Sequence, residues 1–165
     1  MTADLFGSFG ATFSGCGRFR FSLWRIWDPR LRPAMFLMLN PSTADETEND
    51  PTVERCQRRA QAMGYGGLRV GNIFAYRSTD PDALYEVEDP VGPGNDEAIL
   101  EAARDAGIVI CGWGQHGNHL GRGEQILAML REAGIRPHFL ELNQDNTPRH
   151  PLYVSYDVFP TAFPG

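Results

Sequence analysis

Three side chains able to hold a flat ring by its edge stand where apolar runs stop. Asn40 follows Phe36-Leu37-Met38-Leu39 and precedes Pro41 and Ser42, and Asn72 sits in Leu68 to Tyr76. His150 comes after a fourth apolar segment and a turn-rich connector. An amide offers one donor group and one acceptor, and a neutral imidazole offers one of each, which suits the hydrogen-bonding edge of a heterocycle. Phe74 and Trp113 supply stacking faces nearby, and Arg77 and Arg149 supply cationic forks. No Ser-His-Asp or Cys-His arrangement for acyl transfer accompanies them. Asn40 also has a structural reading as a turn-closing residue, and His150 as a strand-end histidine.

These residues need a scaffold that brings distant strand ends together. Phe36 to Leu39 is too short for a helix and continuous rather than alternating, the pattern of a strand covered on both faces. Pro41 cannot continue the ladder and forces the chain out. Asp50-Pro51 predicts a helix with Asp50 as cap, running to about Met63. A second strand is expected over 68–76, and a helix from Asn95 or Asp96 to Gly107. Ile108 to Cys111 predicts a third strand, followed by the glycine-rich turn Gly112 to Gly117 and a helix over about 123–133. Pro137 to Leu142 predicts a fourth strand. The long Asp- and Pro-rich loop after residue 78 is expected to cover part of the crevice. The alternation from Arg18 to Trp27 predicts an N-terminal antiparallel edge strand, with Arg18, Arg20 and Arg25 on a solvated face. Residues 1–17 are expected to be an irregular lead-in. The expectation is one α/β domain over 1–165, a three-layer sandwich with a mainly parallel central sheet. Such sheets bind ligands at the carboxyl ends of their strands.

Composition narrows the partners. A net charge of −6 counts against a duplex-binding face, and all 15 basic residues are arginine. No apolar run approaches the roughly 20 residues that span a bilayer, so a cytoplasmic protein without membrane contact is expected. Cys16, Cys56 and Cys111 are widely spaced and point to buried thiols rather than to a disulfide or metal framework. No cofactor is expected. His116 and His119 lack the spacing of a strong metal motif, so no metal ligand is assigned.

The chain resembles the family filed as domain of unknown function 1643 from residue 18 to about 155. The matching blocks are Arg20 to Trp27, Leu39 to Asp45, Asp50-Pro51-Thr52, Gly71 to Arg77, Asp80-Pro81, Trp113-Gly114 and His150 to Tyr153. More distantly it is similar to the uracil-DNA glycosylase superfamily, through Asn40-Pro41-Ser42, then Asn72-Ile73-Phe74 followed by Arg77 and Pro81, then His150-Pro151. That second resemblance implies a uracil-DNA-glycosylase-like fold and a nucleobase, nucleotide or flipped or single-stranded nucleic acid as partner. It implies that Asn40 orients water, Asn72 reads the base, and His150 stabilises the departing base. Asp45 is then the nearest carboxylate for a general base, and Pro41, Ser42, Phe74, Arg77, Trp113 and Arg149 are expected to contact the substrate. Glycosylase-like hydrolysis of a uracil-like or modified base is the activity expected. A non-catalytic nucleotide or single-strand binding module and a metal-dependent phosphate-handling enzyme using the acidic loop stand as alternatives.

Overall fold

The computed structural model describes residues 7–165. Four parallel strands form its centre: β3 (Pro33–Met38), β4 (Gly67–Asn72), β5 (Ile108–Gly112) and β6 (Pro137–Phe139). Antiparallel strands flank them, β1 (Ser8–Phe13) and β2 (Arg20–Ile26) on one side and β7 (Thr161–Ala162) on the other. The order across the seven-stranded sheet is β1-β2-β4-β3-β5-β6-β7.

All six residues of β3 are buried, because helices cover both of its faces. Ala34, Phe36 and Met38 pack with Val53, Cys56 and Ala60 of α1 (Pro51–Ala62). Met35 and Leu37 point the other way, into a cluster with Ile99 and Ala102 of α2 (Asn95–Asp105) and Ile126 and Leu130 of α3 (Arg122–Glu132). This is the period-2 alternation of a strand with two apolar faces. The helix ends follow local chemistry. Asp50 caps α1 by accepting from Val53 N at 2.9 Å, with Pro51 in the first turn.

β3 leads through α1 to β4 on one side, whereas β5 leads through α3 to β6 on the other. The chain therefore departs in opposite directions from the carboxyl ends of β3 and β5, which leaves a crevice between them.

Five expectations need correction. Cys16 is exposed rather than a buried thiol, whereas Cys56 and Cys111 are buried. The irregular lead-in holds only in part: residues 8–13 form β1, and residues 1–6 lie outside the described residues. β1, not β2, is therefore the edge strand. Arg20 and Arg25 are buried rather than on a solvated face, 2% and 3% exposed. The second and fourth strands stop at Asn72 and Phe139, short of the expected ends. Arg25 is covered because its guanidinium donates to the backbone oxygens of Asp45, Glu46 and Glu48 and to the Asn49 side chain, which fastens the acidic loop against β2. No helix among the described residues is long and apolar enough to cross a membrane.

Candidate functional site

The crevice between β3 and β5 opens into a cavity of about 700 Å³, within the range of small-molecule sites. Asn40, Asn72 and His150 all line it, together with Pro41, Ser42, Trp113 and Arg149. Each arrives from a different strand end. Asn40 and Ser42 follow β3, Asn72 ends β4, Trp113 follows β5, and His150 comes in on the connector after β6. Gly112 permits that last approach, since a Cβ there would lie 2.7 Å from Cδ of Pro151. Gly114 N also donates to Pro148 O at 2.8 Å, docking the connector on the end of β5.

The hydrogen-bonding direction of each polar group is set by its neighbours. Asn72 Oδ1 accepts from Arg20 Nη2 at 3.2 Å. A guanidinium can only donate, so the amide oxygen must face Arg20, and the Asn72 Nδ2 hydrogens remain for the cavity. Asn95 Nδ2 holds the same turn by donating to Asn72 O at 2.9 Å. His150 Nδ1 accepts from Leu152 N at 3.2 Å, which places the proton of the neutral ring on Nε2. Asn40 is the reverse case. Its Nδ2 donates to Ser78 O at 2.9 Å and, at longer range, to Pro41 O and Tyr76 O. Its Oδ1 has no protein donor among the described residues. These three side chains thus present two donors, from Asn72 and His150, and one acceptor, from Asn40.

Electrostatics sharpen this picture. Arg20 is buried, bonded to Ala44 O at 3.0 Å as well as to Asn72, with no carboxylate in ion-pair contact among the described residues. Burial pulls its pKa down to about 10, opposed by the nearby charge of Asp50. It remains a cation at neutral pH and sets positive potential behind Asn72. Burial also lowers the pKa of His150, against the opposing effect of Asp50.

A histidine whose folded pKa is depressed stabilises the fold fully above its ordinary value of 6.5 and loses that contribution as pH falls below it, because the unfolded state then takes up more protons. Urea melts from pH 8 to pH 5 are therefore expected to show wild type losing stability relative to His150→Asn only below about pH 6.5. Asparagine keeps an acceptor for Leu152 N. A difference between the two proteins that does not change with pH would contradict a buried, neutral ring.

Three other expected site residues, Asp45, Phe74 and Arg77, do not line the cavity. Asp45 does not line the cavity; its Oδ1 accepts from Thr47 N at 3.0 Å and Glu48 N at 2.8 Å, closing the acidic loop. Phe74 is fully buried in the α2–α3 core, its ring 5.7 Å from that of His119. Arg77 lines a smaller neighbouring hollow. Arg149 stands at the rim, 3.7 Å from Glu141. In place of Asp45 the cavity holds Asp50, and beside Trp113 it holds Tyr153, 67% exposed, with its ring 6.0 Å from that of His150. Arg20, Asp50 and Tyr153 are the functional candidates that sequence reasoning passed over. The signal for Asp50 was present in Asp50-Pro51-Thr52, and that for Tyr153 in the block that begins at His150.

The His150 segment is tied down from α1. Arg55 Nε donates to Pro151 O at 3.0 Å, and Arg59 donates to Val154 O, Ser155 O and Val158 O. The Arg55 guanidinium also lies 4.1 Å from the ring centre of Tyr156.

Among known proteins, the model of the family described as protein of unknown function (DUF1643) matches residues 20–152. No curated protein and no solved structure matches the chain.

Proposed function

We propose that this chain, which belongs to the DUF1643 family, recognises a nucleobase in the cavity and hydrolyses its N-glycosidic bond, in the manner and with the fold type of the uracil-DNA glycosylases. One observation carries the reading: Asn40, Asn72 and His150, far apart in the chain, line one cavity with their hydrogen-bonding directions already set. Donors from Asn72 and His150 match a base that presents carbonyl oxygens, and the Asn40 oxygen matches a ring N–H or a water. Tyr153, 67% exposed, offers aromatic surface for the ring.

In the proposed reaction a water held by Asn40 Oδ1 gives its proton to Asp50, and its oxygen bonds to the sugar C1′. The glycosidic carbon–nitrogen bond breaks with its electron pair leaving on the base. The new negative charge spreads to the carbonyl oxygens, where Asn72 Nδ2 and His150 Nε2 donate, with the Arg20 cation behind them. Donors fixed in advance toward developing charge supply the larger part of such catalysis. A neutral imidazole serves here because it donates without first losing a proton to the base.

The acidic loop on which the metal-dependent alternative rests is engaged in the fold. The acidic loop spends its backbone oxygens on Arg25, and the Asp45 carboxylate closes the loop on itself. Among the described residues no three His, Cys, Asp or Glu side chains converge as ligands.

The test is incubation with nucleosides and single-stranded oligonucleotides carrying uracil, hypoxanthine or modified bases, with released base read by mass spectrometry. Release that disappears in Asn40→Ala and His150→Ala is expected. Saturable binding without release would reduce the protein to a recognition module, and absence of both would reject the base-recognition reading.

A further inference from the structure

We propose that the hollow beside the cavity is a phosphate subsite, so that the ligand is phosphorylated and lies across both depressions. This deepens the nucleobase reading above and rests on it for the identity of the neighbouring group. The hollow measures about 240 Å³ and shares Ser42, Ser78 and Thr79 with the main cavity, so a ligand can pass from one to the other without leaving the surface.

Two arginines line it. Arg18 and Arg77 are brought together by the backbone: Arg77 N donates to Arg18 O at 2.8 Å, beside the bridge between Phe19 and Tyr76. Like charges placed opposite each other in paired chains repel. Neither guanidinium has a carboxylate within ion-pair distance among the described residues. The Arg77 charge also acts unfavourably on buried Arg20, so three cations crowd this corner of an acidic protein.

The Arg77 fork is held in place before any ligand arrives. Nη1 donates to Gly17 O at 3.0 Å, and the guanidinium lies 4.8 Å from the centre of the Phe13 ring. Its Nε is buried and has no partner. The Ser42 and Thr79 hydroxyls make no hydrogen bond to protein among the described residues. Paired guanidiniums, two free hydroxyls and a concave floor are the donor set that receives phosphoryl oxygens. A bound phosphoryl group would relieve the repulsion between the two guanidiniums.

The experiment uses inorganic phosphate first, because it contains no base. Titrated against chloride at constant ionic strength, phosphate is expected to shift the side-chain Nε resonance of Arg77 in a saturable way. Arg18→Ala should weaken that response at least tenfold. Arg18 is exposed and its side chain makes no hydrogen bond, so its alanine variant keeps both the fold and the Arg77 reporter. No saturable shift in wild type, or an undiminished one in Arg18→Ala, overturns the proposal.

The second arm compares a nucleoside, its 5′-monophosphate and a trinucleotide without terminal phosphates. A gain for the monophosphate assigns a terminal phosphoryl group, and a gain confined to the trinucleotide assigns a phosphodiester. In the latter case Arg18→Ala should reduce the slope of log affinity against log salt by about 0.7. If the nucleoside binds as tightly as both, the subsite is refuted while base recognition stands. If phosphate binds but no base does, the opposite holds.

Discussion

Asp50→Asn is expected to lower base release by about 10²- to 10⁴-fold while leaving the protein folded. Asp50 performs two tasks with one side chain. As the cap of α1 it accepts from Val53 N at 2.9 Å, and as a cavity residue it is the carboxylate available to take a proton from water. Asparagine caps helices as well as aspartate does, so the first task survives. The second fails, because an amide oxygen is a very weak base. Loss of the charge also removes the nearby negative group that favours the protonated forms of Arg20 and His150. The comparison variant is Asp45→Asn, whose carboxylate closes the acidic loop away from the cavity. It is expected to leave release unchanged. Single-turnover rates for the two variants, with urea melts as a check on folding, decide the matter. Full activity in Asp50→Asn, or loss confined to Asp45→Asn, would remove Asp50 from the proposed mechanism.

The second large effect is steric. A Cβ placed on Gly117 would lie 2.0 Å from Cδ1 and 2.7 Å from Nε1 of Trp113. Trp113 is 3% exposed and packed in the same core as Leu37, Cys111 and Ile126, so the ring has no free space behind it. Gly117→Ala must move the indole toward the cavity or open the turn that follows β5. Overpacking of this kind costs about 1–3 kcal/mol, and a contact this short belongs at the upper end. The melting temperature should fall by about 5–10 °C. The displaced indole narrows the cavity, so base release should drop by up to about 10²-fold in protein that is still folded. Gly15→Ala, with nothing near its added Cβ, is the control and should melt with wild type within about 0.5 kcal/mol. An unchanged melting temperature in Gly117→Ala would show that the turn yields freely.

The parts of this molecule that could be read in advance are those where one physical cause dominates. β3 announces itself because burial on two faces demands an unbroken apolar run, and α1 because Asp50-Pro51 admits little else than a helix start. The convergence of Asn40, Asn72 and His150 follows from placing strand ends along one edge of a parallel sheet. β1 was hidden because it is a short edge strand with little buried side-chain material; Phe9 is 66% exposed, and only Gly10 of its six residues is buried. Arg20 and Arg25 misled because charged residues in alternation look solvated, and their acceptors are backbone oxygens and amides remote in the chain, which no local pattern reveals. Phe74 and Tyr153 exchange expectations for a related reason. An aromatic directly after an apolar strand continues into the core, whereas the ring that reaches the cavity hangs from a short exposed turn. Asp45 and Asp50 lie in one acidic run, and only the fold decides which carboxylate turns inward.

The grip of Arg55 and Arg59 on the segment after His150 has an architectural consequence. The helix that begins with Asp50 also carries, one and two turns further on, the two guanidiniums that anchor the strap bearing the imidazole. Asp50 and His150 are thereby mounted on a common spar, and their separation does not depend on the winding span 141–149 alone. A change of length within that span is therefore expected to leave His150 tethered to α1 while reshaping the part of the cavity that Asn143 and Arg149 line.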